Sequence, residues 1–139
     1  KVIGDREKLA TDIVKLIEAA EELTKANCDL TLIIALSYGG RRAITLAAKE
    51  LAYRACKGTI KLDEISEEAF ELVLETQGVP NPDLVIRTSG EKRISNFLLW
   101  ECAYSEFVFF DTLWPDFSSE HLTKAVQEYC NRERRFGAA

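Results

Sequence analysis

A polar segment that follows an apolar run carries the residues best suited to chemistry in this chain. Within the ten positions 87–96 it contains Arg87, Ser89, Glu91, Arg93, Ser95 and Asn96. Guanidinium groups match phosphate oxygens with paired hydrogen bonds, and a serine hydroxyl near a helix start adds another donor. We therefore predict a diphosphate clamp made of Arg87, Arg93 and Ser95. The alternative is a solvated loop whose arginines pair with acidic neighbours such as Glu91 or Glu101, and spacing alone leaves both interpretations open.

A glycine pair elsewhere in the chain could also approach an anion. The segment Tyr38-Gly39-Gly40-Arg41 lies between a predicted strand and a predicted helix. Glycine permits close approach of the backbone to a ligand, and the amides at a helix start favour negative charge. A tight turn without a ligand explains the same residues equally well.

A carboxylate beside the last apolar strand is a candidate metal ligand. Glu106 directly precedes the segment 107–110, and Asp111 directly follows it. Magnesium prefers oxygen ligands and keeps several waters, so one carboxylate near bound phosphates could help to hold it. The competing interpretation of Glu106 is a plain surface acid. With a single histidine, His121, and no Cys-x-x-Cys pair, the sequence offers no transition-metal site.

The spacing of apolar residues predicts the elements that position these groups. Helical periodicity predicts helices over 5–26, with Asp5 as N-cap, and over 44–55, with further helices starting at 63 or 66, at about 95 and after Ser118. The helix over about 95–104 is apolar nearly all round. Apolar runs predict strands at 30–37, 84–86 and 107–110, the first of them buried on both faces.

Strands that alternate with helices predict an α/β fold with a mainly parallel sheet flanked by helices. Ligands of such sheets bind beyond the carboxyl ends of the strands, so the loops after residues 36, 86 and 110 are the candidate binding loops. A length of 139 residues predicts a single domain over 1–139.

The composition excludes several classes of protein. Hydrophobic residues make up 47% and charged residues 29%, which is typical of a folded globular domain. No apolar run approaches the roughly 18 to 20 residues that a membrane-spanning helix needs. A net charge of −5 and a pI near 5.0 argue against a nucleic-acid partner. Four cysteines without a secretory segment predict reduced, mostly buried thiols and a cytoplasmic location.

Residues 83–100 resemble the signature segment of the cis-prenyltransferases, a family typified by undecaprenyl diphosphate synthase. They read Asp83-Leu84-Val85-Ile86-Arg87-Thr88-Ser89-Gly90-Glu91-Lys92-Arg93-Ile94-Ser95-Asn96-Phe97-Leu98-Leu99-Trp100. The similarity continues through Ala103-Tyr104-Ser105-Glu106, Leu113-Trp114-Pro115-Asp116-Phe117 and Arg132-Glu133-Arg134-Arg135-Phe136-Gly137. Upstream, Ile3-Gly4-Asp5 and Tyr38-Gly39-Gly40-Arg41 also occur in the family's order, so the resemblance covers essentially the whole chain.

The resemblance implies a transferase of isoprenoid biosynthesis. Its enzymes condense isopentenyl diphosphate with an allylic diphosphate, such as farnesyl diphosphate, to give a cis-polyprenyl diphosphate. It also implies Mg²⁺ as cofactor and a homodimer in which a C-terminal Arg-x-Gly segment reaches the partner's site. Matched position by position, the substrate-binding residues are Arg87, Arg93, Ser95, Arg135 and Gly137, and the residue associated with magnesium is Glu106.

The family's amino-terminal strand–helix segment, which carries the catalytic aspartate, has no counterpart in this sequence. We therefore expect no catalytic residue within 1–139 and interpret the chain as the carboxyl-terminal part of a longer prenyltransferase. A second hypothesis is a non-catalytic partner subunit of a heteromeric cis-prenyltransferase. The clamp residues favour the first hypothesis, because non-catalytic partners tend to lose them. A long hydrocarbon product is compatible with peripheral association with a membrane.

Overall fold

The computed structural model describes residues 1–133. The chain divides into two compact units, Lys1–Val79 and Pro80–Ala139, and each is described by itself. The interpretation of residues 1–139 as one domain stays a prediction. Within residues 1–133, no helix combines the length and the apolar character needed to cross a bilayer.

The first unit consists of two short parallel strands and three α-helices. Its strands are β1 (Val2–Ile3) and β2 (Ile34–Ala35), with Val2 opposite Ile34. Its helices are α1 (Thr11–Thr24), α2 (Gly40–Cys56) and α3 (Glu67–Glu71), with 3₁₀ turns at Arg6–Lys8 and Leu62–Glu64. Side chains from β1, α1, α2 and the turns after α3 form the core: Ile3, Ile17, Ala43, Ala47, Leu51 and Leu74.

Two sequence predictions for the first unit are wrong. Asp5 does not cap α1, which begins at Thr11, because its carboxylate is instead paired with Lys8 Nζ at 3.2 Å and Arg42 Nη2 at 3.3 Å. The run 30–37 is not a strand buried on both faces. Only Ile34–Ala35 is strand, and Leu30 and Leu32 are 83% and 66% exposed, because β1 is the only described strand that pairs with β2.

The second unit contains a longer parallel pair. Strand β3 (Leu84–Arg87) runs beside β4 (Glu106–Phe109), with Leu84 opposite Glu106 and Arg87 opposite Phe109. A 3₁₀ turn at Trp114–Asp116 leads to helix α4 (Ser119–Cys130), whose N-cap is Ser118 as predicted. The buried core residues of this unit are Cys102, Val108 and Ala125.

The predicted helix over 95–104 is also wrong, because this segment consists of turns. Ser95, Asn96 and Leu98 have φ values of 49°, 63° and 43°, and side-chain-bearing residues in this left-handed region cannot continue a right-handed helix. The apolar composition still has its effect, because Cys102 is 5% exposed. The other three cysteines are exposed and all four are free, so the thiols are unpaired as expected but not mostly buried.

Candidate functional site

Arg87 ends β3 and reaches across the following loop. The Phe110 amide donates to the Arg87 carbonyl at 2.9 Å, which fixes the backbone at the carboxyl end of the ladder. Arg87 is half-buried as a residue, and its guanidinium donates through Nη1 to the carbonyl of Arg93 in an exposed hydrogen bond. The loop between the two predicted clamp arginines is therefore closed by the first arginine's own side chain.

The middle of the loop is held against the chain that follows β4. Ser89 and Gly90 have φ values of 67° and 68°, which produce a tight reversal directly after β3. The Ser89 amide donates to the Thr112 carbonyl at 2.8 Å, and the Gly90 amide donates to the Phe110 carbonyl at 2.9 Å. Asp111 lies so close that a Cβ added to Gly90 would be 3.2 Å from its Oδ1. We name residues 87–93 the arginine loop.

The Arg93 guanidinium forms an ion pair with Glu91 within the arginine loop. The Arg93 side chain is 65% exposed and that of Glu91 is 37% exposed. This contact is the one that the solvated-loop alternative anticipates. Exposed ion pairs contribute about 1 kcal/mol or less, so a multiply charged anion could displace Glu91 at small cost. Ser95 lies two positions further on, is exposed, and begins no helix.

Within this chain, Glu106 lies at the opposite end of the β3–β4 ladder from the arginine loop. It starts β4 opposite Leu84, three positions before the level of Arg87, which corresponds to about 10 Å along the ladder. Its Oε2 accepts from Arg132 Nη1 at 2.7 Å, and Arg132 also donates to Glu128. Hydrogen bonds to these carboxylates, first that to Glu106, raise the pKa of the Arg132 guanidinium above its ordinary value.

The donor set of residues 1–133 does not fit a magnesium site that combines Glu106 with the arginine loop. In that part of the chain no three His, Cys, Asp or Glu side chains are grouped as metal ligands. Arg132 also occupies the Glu106 carboxylate where a cation would bind. The remaining predicted residues, Arg135 and Gly137, lie outside the described residues.

Tyr38-Gly39-Gly40-Arg41 forms the entry to α2 in the first unit. Gly39 is the N-cap in an extended conformation, and its carbonyl accepts from the Ala43 amide at 3.0 Å. Gly40 is buried as the first helical residue, consistent with the tight strand-to-helix connection that the sequence left as one of two interpretations.

An open cavity of about 690 Å³ lies beside β2 in the first unit. Ile17, Leu30, Leu32 and Ile34 contribute its apolar wall. The Arg6–Glu21 ion pair, at 2.8 Å, also borders it. Sequence reasoning missed this cavity, because it assigned the run 30–37 to the interior of a sheet.

Sequence reasoning named the loop after residue 110 as a candidate binding loop, but it missed the segment 110–112 as the support of the arginine loop. Two of its carbonyls, those of Phe110 and Thr112, accept the loop's amides. A signal was present: Asp111 and Thr112 follow β4 at the edge where Arg87 ends β3, and parallel neighbours bring such residues together.

A comparison with protein families decides which family this fold and loop represent. The family model described as "Putative undecaprenyl diphosphate synthase" matches residues 1–137. The chain belongs to this family of prenyltransferases. The predicted family resemblance is thereby confirmed.

Curated members of the family are similar to almost the whole chain. An isoprenyl transferase from Agrobacterium fabrum is 49% identical over 138 residues, covering 99% of this chain and 56% of the relative. The ditrans,polycis-undecaprenyl-diphosphate synthase ((2E,6E)-farnesyl-diphosphate specific) of Micrococcus luteus is 50% identical over 137 residues, covering 99% of this chain and 55% of that enzyme. The chain therefore spans just over half the length of the relatives it matches.

Solved structures of relatives share the fold. Lavandulyl diphosphate synthase from Lavandula x intermedia, crystallised with dimethylallyl diphosphate, has a TM-score of 0.96 and 40% identity, covering 99% of this chain and 59% of that one. A probable undecaprenyl diphosphate synthase from Campylobacter jejuni has a TM-score of 0.82 and 36% identity, covering 99% of this chain and 62% of that one. These similarities confirm the predicted α/β class, with parallel strands flanked by helices.

Proposed function

We propose that this chain supplies the isopentenyl diphosphate site of a cis-prenyltransferase. The complete enzyme would condense isopentenyl diphosphate with an allylic diphosphate, such as farnesyl diphosphate, and release a cis-polyprenyl diphosphate. One observation carries the proposal: in a chain of this family, Arg87 and Arg93 stand at the two ends of a closed loop at the carboxyl end of β3. That edge of a parallel sheet is where ligands bind.

The arginine loop performs a binding and orienting role. Arg87 is half-buried with its backbone fixed, so its guanidinium can contact a phosphate group with little loss of conformational freedom. Arg93 can exchange Glu91 for the incoming diphosphate, because both anions present paired oxygens. The Ser95 hydroxyl would add a neutral donor. Holding the substrate in one place raises the rate of attack on the allylic carbon by reducing the entropy that must be lost.

The proposal also needs groups that lie outside residues 1–133. Arg135 and Gly137 would reach the site of a second copy in a homodimer, and the catalytic aspartate would belong to polypeptide that this chain does not span. Magnesium would accompany the diphosphate through phosphate oxygens and water and not through Glu106, whose carboxylate is paired with Arg132. Charged substrates and a hydrocarbon product fit a cytoplasmic enzyme at the membrane periphery.

Replacing Arg93 tests the proposal most directly. In the complete enzyme, Arg93→Ala should raise the KM for isopentenyl diphosphate about ten- to a hundredfold and leave the KM for the allylic substrate unchanged, because one charge-assisted contact to phosphate is lost. Glu91→Gln should lower the same KM about twofold or more, since it frees Arg93 from its competing partner. Steady-state kinetics with each substrate varied in turn measures both effects.

Arg54→Ala is the matched control, because Arg54 also pairs with a neighbouring glutamate, Glu50, on the surface of the first unit. It should change neither KM. An Arg93→Ala enzyme with an unchanged KM for isopentenyl diphosphate would remove Arg93 from the site. That result would favour the solvated-loop interpretation and the hypothesis that this chain is a non-catalytic partner subunit.

A further inference from the structure

We propose that His121 is a positioning residue that sets the arginine loop through Thr112. His121 is the third residue of α4, and its Nε2 lies 3.1 Å from Thr112 Oγ1. The Thr112 carbonyl in turn accepts the Ser89 amide at 2.8 Å. Two hydrogen bonds therefore connect the imidazole ring to the turn between Arg87 and Arg93. The role in substrate binding rests on the proposed function of that loop.

The neighbours of His121 fix which ring nitrogen carries the proton. Nδ1 lies 3.1 Å from the Ser118 amide nitrogen, and a backbone amide can only donate. Nδ1 therefore accepts from this amide, and the Ser118 hydroxyl, 3.0 Å from Nδ1, can donate to it as well. With Nδ1 as the acceptor, the proton of the neutral ring is on Nε2. From there it donates to Thr112 Oγ1. One ring thus has two separate tasks: Nδ1 accepts the amide of the Ser118 N-cap, and Nε2 holds Thr112.

Aromatic contacts hold the ring in the plane that these bonds require. Phe117 stacks on His121 with centroids 5.5 Å apart and an interplanar angle of 26°. Phe110 meets the ring edge-on at 5.6 Å and 85°. Phe110 also accepts the Gly90 amide through its carbonyl, so one of the two residues that hold the ring also holds the loop. The ring is half-buried, which limits competition from water for its hydrogen bonds.

Two substitutions of His121 separate its two tasks. His121 is the third helical residue after the Ser118 N-cap, and glutamine at this position accepts the N-cap amide in a capping box. His121→Gln therefore keeps the cap and gives up the bond to Thr112, whereas His121→Ala gives up both. Both variants remove the ring, so the aromatic contacts are lost equally in the two.

The experiment compares His121→Gln, His121→Ala and Thr112→Val in the complete enzyme. All three should raise the KM for isopentenyl diphosphate about two- to tenfold relative to wild type, with kcat and the allylic KM unchanged, because each removes the bond between His121 and Thr112. His121→Ala should have the lower unfolding midpoint of the two histidine variants, because it loses the cap. Thr123→Val is the control, since Thr123 Oγ1 donates only to the Ser119 carbonyl in the same helix.

The inference is overturned if Thr112→Val, which keeps both the ring and the cap, leaves the KM for isopentenyl diphosphate at its wild-type value. It is also overturned if every variant's KM follows its unfolding midpoint, since His121 would then act through helix stability alone. Failure of the proposed function looks different: the wild-type enzyme itself would not elongate an allylic diphosphate, or Arg93→Ala would leave its kinetics unchanged.

Discussion

The two units each contain a two-stranded parallel sheet, but the backbone groups beyond the paired residues are hydrogen-bonded in different ways. In the first unit the outer edge of β1 is closed by side chains: the Val2 amide donates to Glu21 Oε1 at 2.7 Å, and Arg6 donates to the Val2 carbonyl at 3.2 Å. In the second unit the ladder is longer and continues into the loop that it supports, through Phe110 and Thr112. Backbone pairing thus extends to the candidate site in the second unit and stops early in the first.

The strands also differ in burial although their sequences are similarly apolar. All four residues of β3 are half-buried, whereas Ile34 in β2 is 47% exposed and borders the open cavity. Parallel strands are normally covered on both faces, and an apolar run reaches that state only if neighbours cover it. The comparison teaches that an apolar run reports a tendency to be buried, while the neighbouring elements decide whether it is.

The largest expected effect is at Gly4, where the first unit's chain turns away from β1. Gly4 has a φ of 111°, and an added Cβ would lie 2.0 Å from the Leu36 carbonyl oxygen. Gly4→Ala should therefore lower the free energy of unfolding by about 3 kcal/mol or more, because backbone must move on both sides of the contact. Urea unfolding measures it. Gly78→Ala, at a φ of 75° in open space, is the control and should cost only about 1 kcal/mol. Equal losses would mean that β1 and β2 are not held this closely.

A matched glycine pair compares the two units directly. Gly58 and Gly90 have φ values of 70° and 68°, but only Gly90 has a neighbour in reach of an added Cβ, Asp111 Oδ1 at 3.2 Å. Each alanine substitution should cost about 1 to 2 kcal/mol of unfolding free energy from strain, with Gly90→Ala the larger. Only Gly90→Ala should also raise the KM for isopentenyl diphosphate. If the two variants had identical kinetics, the shape of the arginine loop would not affect substrate binding.

The smallest expected effect concerns the ion pair that closes β1. The hydrogen bond from Arg6, followed by that from the Val2 amide, lowers the pKa of Glu21 below its ordinary value of 4.5. A lowered folded-state pKa stabilises the fold above the unfolded-state value, and this contribution is lost as the pH falls through the folded-state pKa. Glu21→Gln should cost about 1 kcal/mol at neutral pH.

Urea unfolding at several pH values between about 7 and 3 tests the sign of the Glu21 effect. The difference between wild type and Glu21→Gln should shrink as the solution becomes acidic. A difference that stays constant, or grows toward acid, would show that Glu21 does not close the edge of β1 as a carboxylate.

The sequence predicted those parts of the fold that depend on neighbours along the chain. Periodicity located α2, β3 and α4, because apolar spacing and caps such as Ser118 act over a few residues. It failed at 95–104, where left-handed residues such as Asn96 interrupt the helix that the apolar pattern suggested. Periodicity records which residues prefer the interior but not the backbone angles by which they reach it.

The candidate site was predictable in its residues and unpredictable in its support. Arg87 and Arg93 stood out by their type and spacing behind an apolar strand. The position of Thr112 beside the arginine loop follows from the parallel pairing, but its contact with His121 is made across the fold, and a single sequence has no local signal for it. The position of Glu106 at the opposite end of the ladder follows from strand register, which the predicted strand at 107–110 left undefined.

Cys102 gives the second unit an internal chemical reporter. Burial raises the pKa of its thiol, so at neutral pH almost no reactive thiolate is present there, while Cys28, Cys56 and Cys130 are open to solvent. Alkylating reagents should therefore modify three cysteines quickly and the fourth only when the surrounding turns open. The rate of that last modification would time the local opening of the segment that leads into β4.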